Sequence, residues 1–105
     1  VLRRALAQAR EARLHILNKA PDHPRYRHCL DALEPGDSLI LMESGVLALL
    51  ADPMLPSRLE GIQVYALRDD LAACSRSAGP GTGVDVIDYR EFVNLICQIG
   101  SPVGW

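Results

Sequence analysis

From Leu14 onward the chain alternates short apolar runs with segments of helical spacing. Leu14 to Asn18 forms the first run, and it predicts a strand. In the turn Pro21-Asp22-His23-Pro24, the second proline suits the first position of a helix reaching about Leu33, which Glu34-Pro35-Gly36-Asp37 ends. Ser38 to Met42 predicts a second strand and Val46 to Ala51 a second helix, with Pro53 and Pro56 punctuating the loop that follows. Ile62 to Leu67 predicts a third strand, leading to Asp69 or Asp70 as the cap of a helix through Leu71, Cys74 and Ser75. A fourth strand, Val84 to Ile87, runs into Asp88-Tyr89-Arg90-Glu91, an acidic variant of the capping box, and a helix continues to Ile99 before Gly100 and Pro102 stop it. Strands apolar on both faces belong to parallel sheets covered by helices on both sides. The expected fold is therefore α/β, a three-layer sandwich with a mainly parallel sheet of four to five strands. In such sheets the loops at the strands' C-terminal ends carry function, which directs attention to Glu43, Ser44 and their counterparts.

At 105 residues the chain makes one domain, near the low end of what a single core supports. Aromatic residues are only 5%, so the core must be aliphatic. No apolar run approaches the roughly 18 residues needed to span a bilayer. The start is basic without an apolar stretch of signal-peptide length, so export is not expected. Cys29, Cys74 and Cys97 are odd in number and widely spaced, which fits neither a disulfide framework nor a zinc site. The expectation is a soluble, cytoplasmic protein without metal or cofactor. Charge divides the chain: residues 1–13 hold four arginines against one glutamate, a net +3, so residues 14–105 carry −5 of the formal −2. The first 13 residues read as a basic N-terminal extension and the rest as the domain.

Candidate chemistry is sparse, which points to a subunit of an assembly more than to a self-sufficient enzyme. The second helix is apolar all round, although a helix covering one sheet face of a monomer should show a polar side. Val46, Leu47, Leu49 and Leu50 are therefore candidate interface residues. Lys19, His23, Arg25, Arg27 and His28 form a basic cluster after the first strand; Lys19, Arg25 and Arg27 are candidates for contact with an acidic partner. Ala78-Gly79-Pro80-Gly81-Thr82-Gly83 is glycine-rich but precedes a strand and lacks the Lys-Ser/Thr ending of a phosphate loop. His15, inside a strand, reads as a hydrogen-bonded structural histidine, and Cys74 and Cys97 read as core positions of their helices. The capping box accounts for Asp88 and Glu91.

Four ordered segments carry a resemblance. They are Leu14-His15-Ile16-Leu17-Asn18-Lys19-Ala20-Pro21, Gly36-Asp37-Ser38-Leu39-Ile40-Leu41-Met42-Glu43-Ser44-Gly45-Val46, Val64-Tyr65-Ala66-Leu67 with Asp69-Asp70-Leu71, and Ile87-Asp88-Tyr89-Arg90-Glu91-Phe92-Val93 with the terminal Trp105. Together they resemble the TusB/DsrH family over residues 14–105. The resemblance implies a small subunit that joins TusC-like and TusD-like subunits in a heterohexamer. In the tRNA-modification branch such a complex relays persulfide sulfur from TusA to TusE for 2-thiolation of the wobble uridine, touching tRNA only indirectly. In the sulfur-oxidation branch a DsrE, DsrF and DsrH complex works with a DsrC partner. The TusD or DsrE subunit bears the main reactive cysteine in both branches, so a structural subunit is implied here. DsrH-type sequences can carry a cysteine in the first helix, which makes Cys29 the candidate persulfide carrier. A thiolate there would need a helix N-terminus or nearby cations. Cys29 lies past the first turn, where the dipole effect has faded, and a half-buried packing role is the competing reading. The family's terminal tryptophan gives Trp105 a docking role, in a groove of its own domain or of a partner. Two alternatives stand beside the structural subunit: a persulfide carrier using Cys29, and a nucleotide-binding α/β module suggested by fold alone.

Overall fold

The structure, a computed structural model, describes residues 12–74, 83–100 and 102–105. Most of the N-terminal extension and all of the glycine-rich loop except Gly83 lie outside the described residues. The elements run β1 (Leu14–Leu17), α1 (Pro24–Ala32), β2 (Ser38–Leu41), a 3-10 turn (Glu43–Val46), α2 (Leu47–Ala51), α3 (Leu55–Arg58), β3 (Gln63–Leu67), α4 (Arg68–Ala73), β4 (Val84–Ile87), α5 (Tyr89–Ile99) and β5 (Pro102–Gly104). The five strands lie in the order β4-β3-β2-β1-β5, and every pair is parallel. Leu14 aligns with Ser38, Ser38 with Gln63, and Val64 with Val84.

This order explains the layers. Parallel strands require crossovers, and these are almost always right-handed. From β1 to β4 the chain steps repeatedly in one direction, which keeps the intervening helices on one face of the sheet. The return from β4 to β5 reverses direction and carries α5 to the other face. The core divides accordingly. Leu17, Leu39, Leu41, Val64 and Ala66 pack with Cys29, Val46, Ala48, Leu49 and Leu55 on the first face. Leu14, Ile40, Leu67 and Ile87 pack with Phe92 on the second. All four residues of β2 are buried, as expected of a central strand covered on both sides.

Local chemistry sets the ends of α5. The Asp88 carboxylate accepts from the Glu91 amide at 2.8 Å, and Glu91 returns the contact to the Asp88 amide at 3.1 Å. Gly100 closes the helix in the left-handed conformation, φ 76°, which a Cβ would strain. Three expectations need correction, and the tail supplies the last strand of a sheet expected to have four to five. The loop containing Pro56 holds a one-turn helix, because proline is tolerated in a first turn, where its missing N–H is not needed. Neither Asp69 nor Asp70 caps α4: the cap position is Leu67, without a side-chain bond, and Asp70 is engaged elsewhere. The tail beyond Gly100 is a fifth strand, with Pro102 on the sheet edge where a ladder donor is not needed. Cys97 is exposed, because α5 turns Phe92, Leu95, Ile96 and Ile99 inward and Cys97 shares the outer stripe with Tyr89 and Val93. Among the described residues, no helix is long and apolar enough to cross a membrane.

Candidate functional site

In open parallel sheets, ligands and partners meet the C-terminal edge where successive strands send their chains to opposite faces. Here that place lies between β3, which leads into α4, and β4, which leads into α5. A cleft of about 240 Å³ opens there, lined by Glu43, Arg68, Asp69, Asp70, Asp88 and Tyr89 among others. Four carboxylates against one guanidinium make this the wrong potential for a phosphate-bearing ligand. The nucleotide-binding reading therefore lacks a phosphate loop in the sequence, and this cleft does not suit it.

The backbone beside this cleft is held in a costly shape. Glu43 adopts φ 50°, a left-handed conformation that a non-glycine residue enters at a cost of about 1–2 kcal/mol. Its amide donates to the Asp70 carboxylate at 2.7 Å, which ties the turn after β2 to α4. Gly45 sits against β1 so closely that a Cβ would lie 2.1 Å from the Leu17 carbonyl oxygen. That oxygen also accepts from the Met42 amide at 3.1 Å, so it cannot retreat cheaply. Gly45→Ala is expected to destabilise the chain by about 2–3 kcal/mol, the scale of overpacking a tight contact. A urea titration checks this, and an unchanged midpoint would contradict it.

A second polar group lies inside the sheet. Asp37 is 1% exposed and accepts from the Arg13 amide at 3.0 Å, from the Glu34 amide at 3.1 Å and from His15 Nε2 at 2.9 Å. His15, also 1% exposed, receives the Trp105 indole N–H on Nδ1 at 3.1 Å. The two rings stack with centroids 6.1 Å apart, and the Trp105 amide donates to the Ile16 carbonyl. This chain of bonds links the turn before β2, the middle of β1 and the C-terminus. His15 reads in the sequence as a hydrogen-bonded histidine, but its partners do not. Asp37 passes there as a turn residue, and the one hint is that a histidine in an apolar strand needs a buried acceptor.

The remaining candidates do not converge on one place. Cys29 is fully buried in the first core cluster, where desolvation pushes its thiol up from its ordinary value to about 12. It is more deeply covered than a half-buried packing role requires. Cys74 is half-buried beside Leu71 against the same cluster. His23 caps α1, its Nδ1 accepting from the Arg25 amide at 3.0 Å, while Arg25, Arg27 and His28 are exposed and Lys19 half-buried. The apolar helix resolves into two faces. Val46, Ala48 and Leu49 are covered by the chain's own core, so Val46 and Leu49 are not free for a partner. Leu47 and Leu50 face outward at 36% and 40% exposure, with Met54 nearby in sequence at 64%. Among the described residues, no group of three or more His, Cys, Asp or Glu is placed to hold a metal ion.

Comparison with known proteins gives a consistent result. A family model described as DsrH like protein matches residues 19–101. Protein TusB of Pectobacterium parmentieri is 33% identical over 94 residues, covering 88% of this chain and 99% of that protein. Protein TusB of Escherichia coli strain K12 / DH10B is 32% identical over the same length. The solution NMR structure of protein Tm0979 from Thermotoga maritima superposes with a TM-score of 0.61 at 28% identity, over 82% of this chain and 92% of that one.

Proposed function

Because the chain belongs to the DsrH-like family, we propose that it is a subunit of a heteromeric sulfur-relay complex that passes persulfide sulfur toward 2-thiolation of the wobble uridine in tRNA. Its role there is structural. The observation that carries the reading is a match to proteins named TusB over nearly their whole length. Its partners are TusC-like and TusD-like subunits in a heterohexamer, served by sulfur carriers of the TusA and TusE type and located in the cytoplasm. Leu47, Leu50 and Met54 supply the apolar contact, and Lys19, Arg25 and Arg27 offer a basic surface to an acidic carrier.

The structural role rests on the state of Cys29. Sulfur transfer proceeds through a thiolate, and a thiol held near pKa 12 without access to solvent supplies almost none at neutral pH. In native protein at pH 7.5, iodoacetamide is expected to modify Cys97 readily and to leave Cys29 unmodified, as read by mass spectrometry of tryptic peptides. Alkylation of Cys29 at a rate close to that of Cys97 would restore the persulfide-carrier reading. The same burial sets a pH trend. Since only the folded state resists ionisation, this contribution to stability is intact below the ordinary thiol range and fades as pH rises toward about 12.

The function itself is tested in a strain lacking this gene, by measuring 2-thiouridine in hydrolysed tRNA. Loss of the modification, restored by the wild-type chain and by Cys29→Ala, is the expected result. Unchanged 2-thiouridine in the deletion strain would remove the tRNA reading.

A further inference from the structure

We propose that the subunit covering Leu47 and Leu50 presents lysine or arginine side chains, which enter two adjoining acidic clefts beside those leucines. The proposal rests on the assembly reading above and adds the chemistry of the contact. The first cleft, about 280 Å³, is walled by Leu47 itself together with Glu43, Ser44, Asp70, Ala73 and Cys74. Glu43 and Asp70 also line the cleft of about 240 Å³ between β3 and β4, where Asp69 and Asp88 add two more carboxylates. The exposed leucine and the acidic clefts therefore form one continuous surface. Its middle is held in place, because the Asp70 carboxylate accepts from the Glu43 amide at 2.7 Å.

Charge selects the occupant. Glu43, Asp69 and Asp88 are exposed and Asp70 is half-buried, and among the described residues none of the four makes an ion pair. Arg68 is the one cationic residue lining either cleft. The acidity is local, since the chain that leaves β1 at the same edge of the sheet carries Lys19, Arg25 and Arg27. A partner thus meets opposite signs at two places on one edge. An acidic protein or a nucleic acid is repelled from the Glu43 side. A bare metal ion finds no group of three ligands among the described residues. Beneath the carboxylates the walls are apolar, with Leu47 and Ala73 in one cleft and Met42, Leu67 and Ile87 in the other. Lysine and arginine match both parts, because they lay an aliphatic stem along apolar surface and keep the charge at the tip. In the second cleft the face of the Tyr89 ring favours a cation further. Interfacial charges act mainly on encounter and orientation, so the clefts steer the partner and the leucines hold it.

The test is surface plasmon resonance, with the full chain in solution and the TusC-like and TusD-like subunits immobilised in turn. Glu43→Gln combined with Asp69→Asn removes two carboxylates that hold no backbone group. Asp70 and Asp88 stay, because one fixes the Glu43 turn and the other caps α5. The melt of this double variant should match wild type. Its association rate at low salt is expected to fall by about tenfold with dissociation little changed, and the dependence of that rate on salt should flatten. Glu43→Lys combined with Asp69→Lys should slow association further. Leu47→Asp and Leu50→Asp separate this proposal from the assembly reading. If they weaken binding while both acidic-site variants associate at the wild-type rate or faster, the contact stands and its basic chemistry is refuted. If the leucine variants also bind as wild type does, the contact lies elsewhere and the proposal falls with it. A wild-type chain that binds neither subunit would remove the assembly reading itself. Self-association of the isolated chain, lost in Leu47→Asp, would make a second copy the occupant and overturn the proposal as well.

Discussion

Asp37→Ala is expected to lower the melting temperature by about 12 °C or more, or to leave no cooperative transition. The carboxylate is 1% exposed and satisfies two backbone amides and the His15 ring. Alanine strands the His15 ring in the interior and leaves two partly buried amides without their acceptor, and each unsatisfied buried group costs about 1–3 kcal/mol. A total of at least about 3 kcal/mol, at about 4–8 °C per kcal/mol for a domain of this size, gives the stated shift. The loss should also reach the tail, because His15 without its acceptor no longer presents a fixed lone pair to Trp105. Asp37→Asn, which keeps one acceptor oxygen, should fall between alanine and wild type. A thermal melt of Asp37→Ala within about 3 °C of wild type would show that the network is dispensable.

Association should respond to a different pair of residues. Leu47→Asp and Leu50→Asp alter side chains already 36% and 40% exposed, so the isolated chain should stay folded with a nearly unchanged melt. In a complex that covers them, an unpaired charge costs several kcal/mol, enough to weaken association by about a hundredfold or more. Retention on an immobilised TusD-like subunit reads this directly. Leu49→Asp serves as the contrast: at 7% exposure it belongs to the chain's own core and should unfold the chain whether or not a partner is present. If both surface variants bind as wild type does, the contact lies elsewhere on the molecule.

Much of the architecture can be read from local pattern, because the strands that fill the sheet are apolar on both faces and the two longest helices, α1 and α5, carry side-chain caps. The capping box at Asp88 and the stop at Gly100 belong to this class: each involves residues only a few positions apart. What escapes sequence reading is set by distance along the chain. The strand at Pro102–Gly104 has no alternating pattern and forms because the return crossover delivers it to β1. Asp37 finds His15 across 22 positions, and Trp105 finds it across 90. Asp70 reads as a helix cap, yet it serves the Glu43 amide 27 positions away, which no local rule anticipates. The apolar helix illustrates an intermediate case. Its composition is apolar all round, and only the packing separates Val46 and Leu49, which the core covers, from Leu47 and Leu50, which it does not.

The central claim, that this chain works as a subunit of a sulfur-relay assembly, is tested most directly by co-expressing it with the TusC-like and TusD-like proteins of its own host. An affinity tag on the TusD-like protein alone allows native mass spectrometry of the purified material. The account predicts one species containing all three chains in equal numbers, with the mass of a heterohexamer. A TusC–TusD species formed without this chain, while the chain itself remains folded in the flow-through, would contradict it.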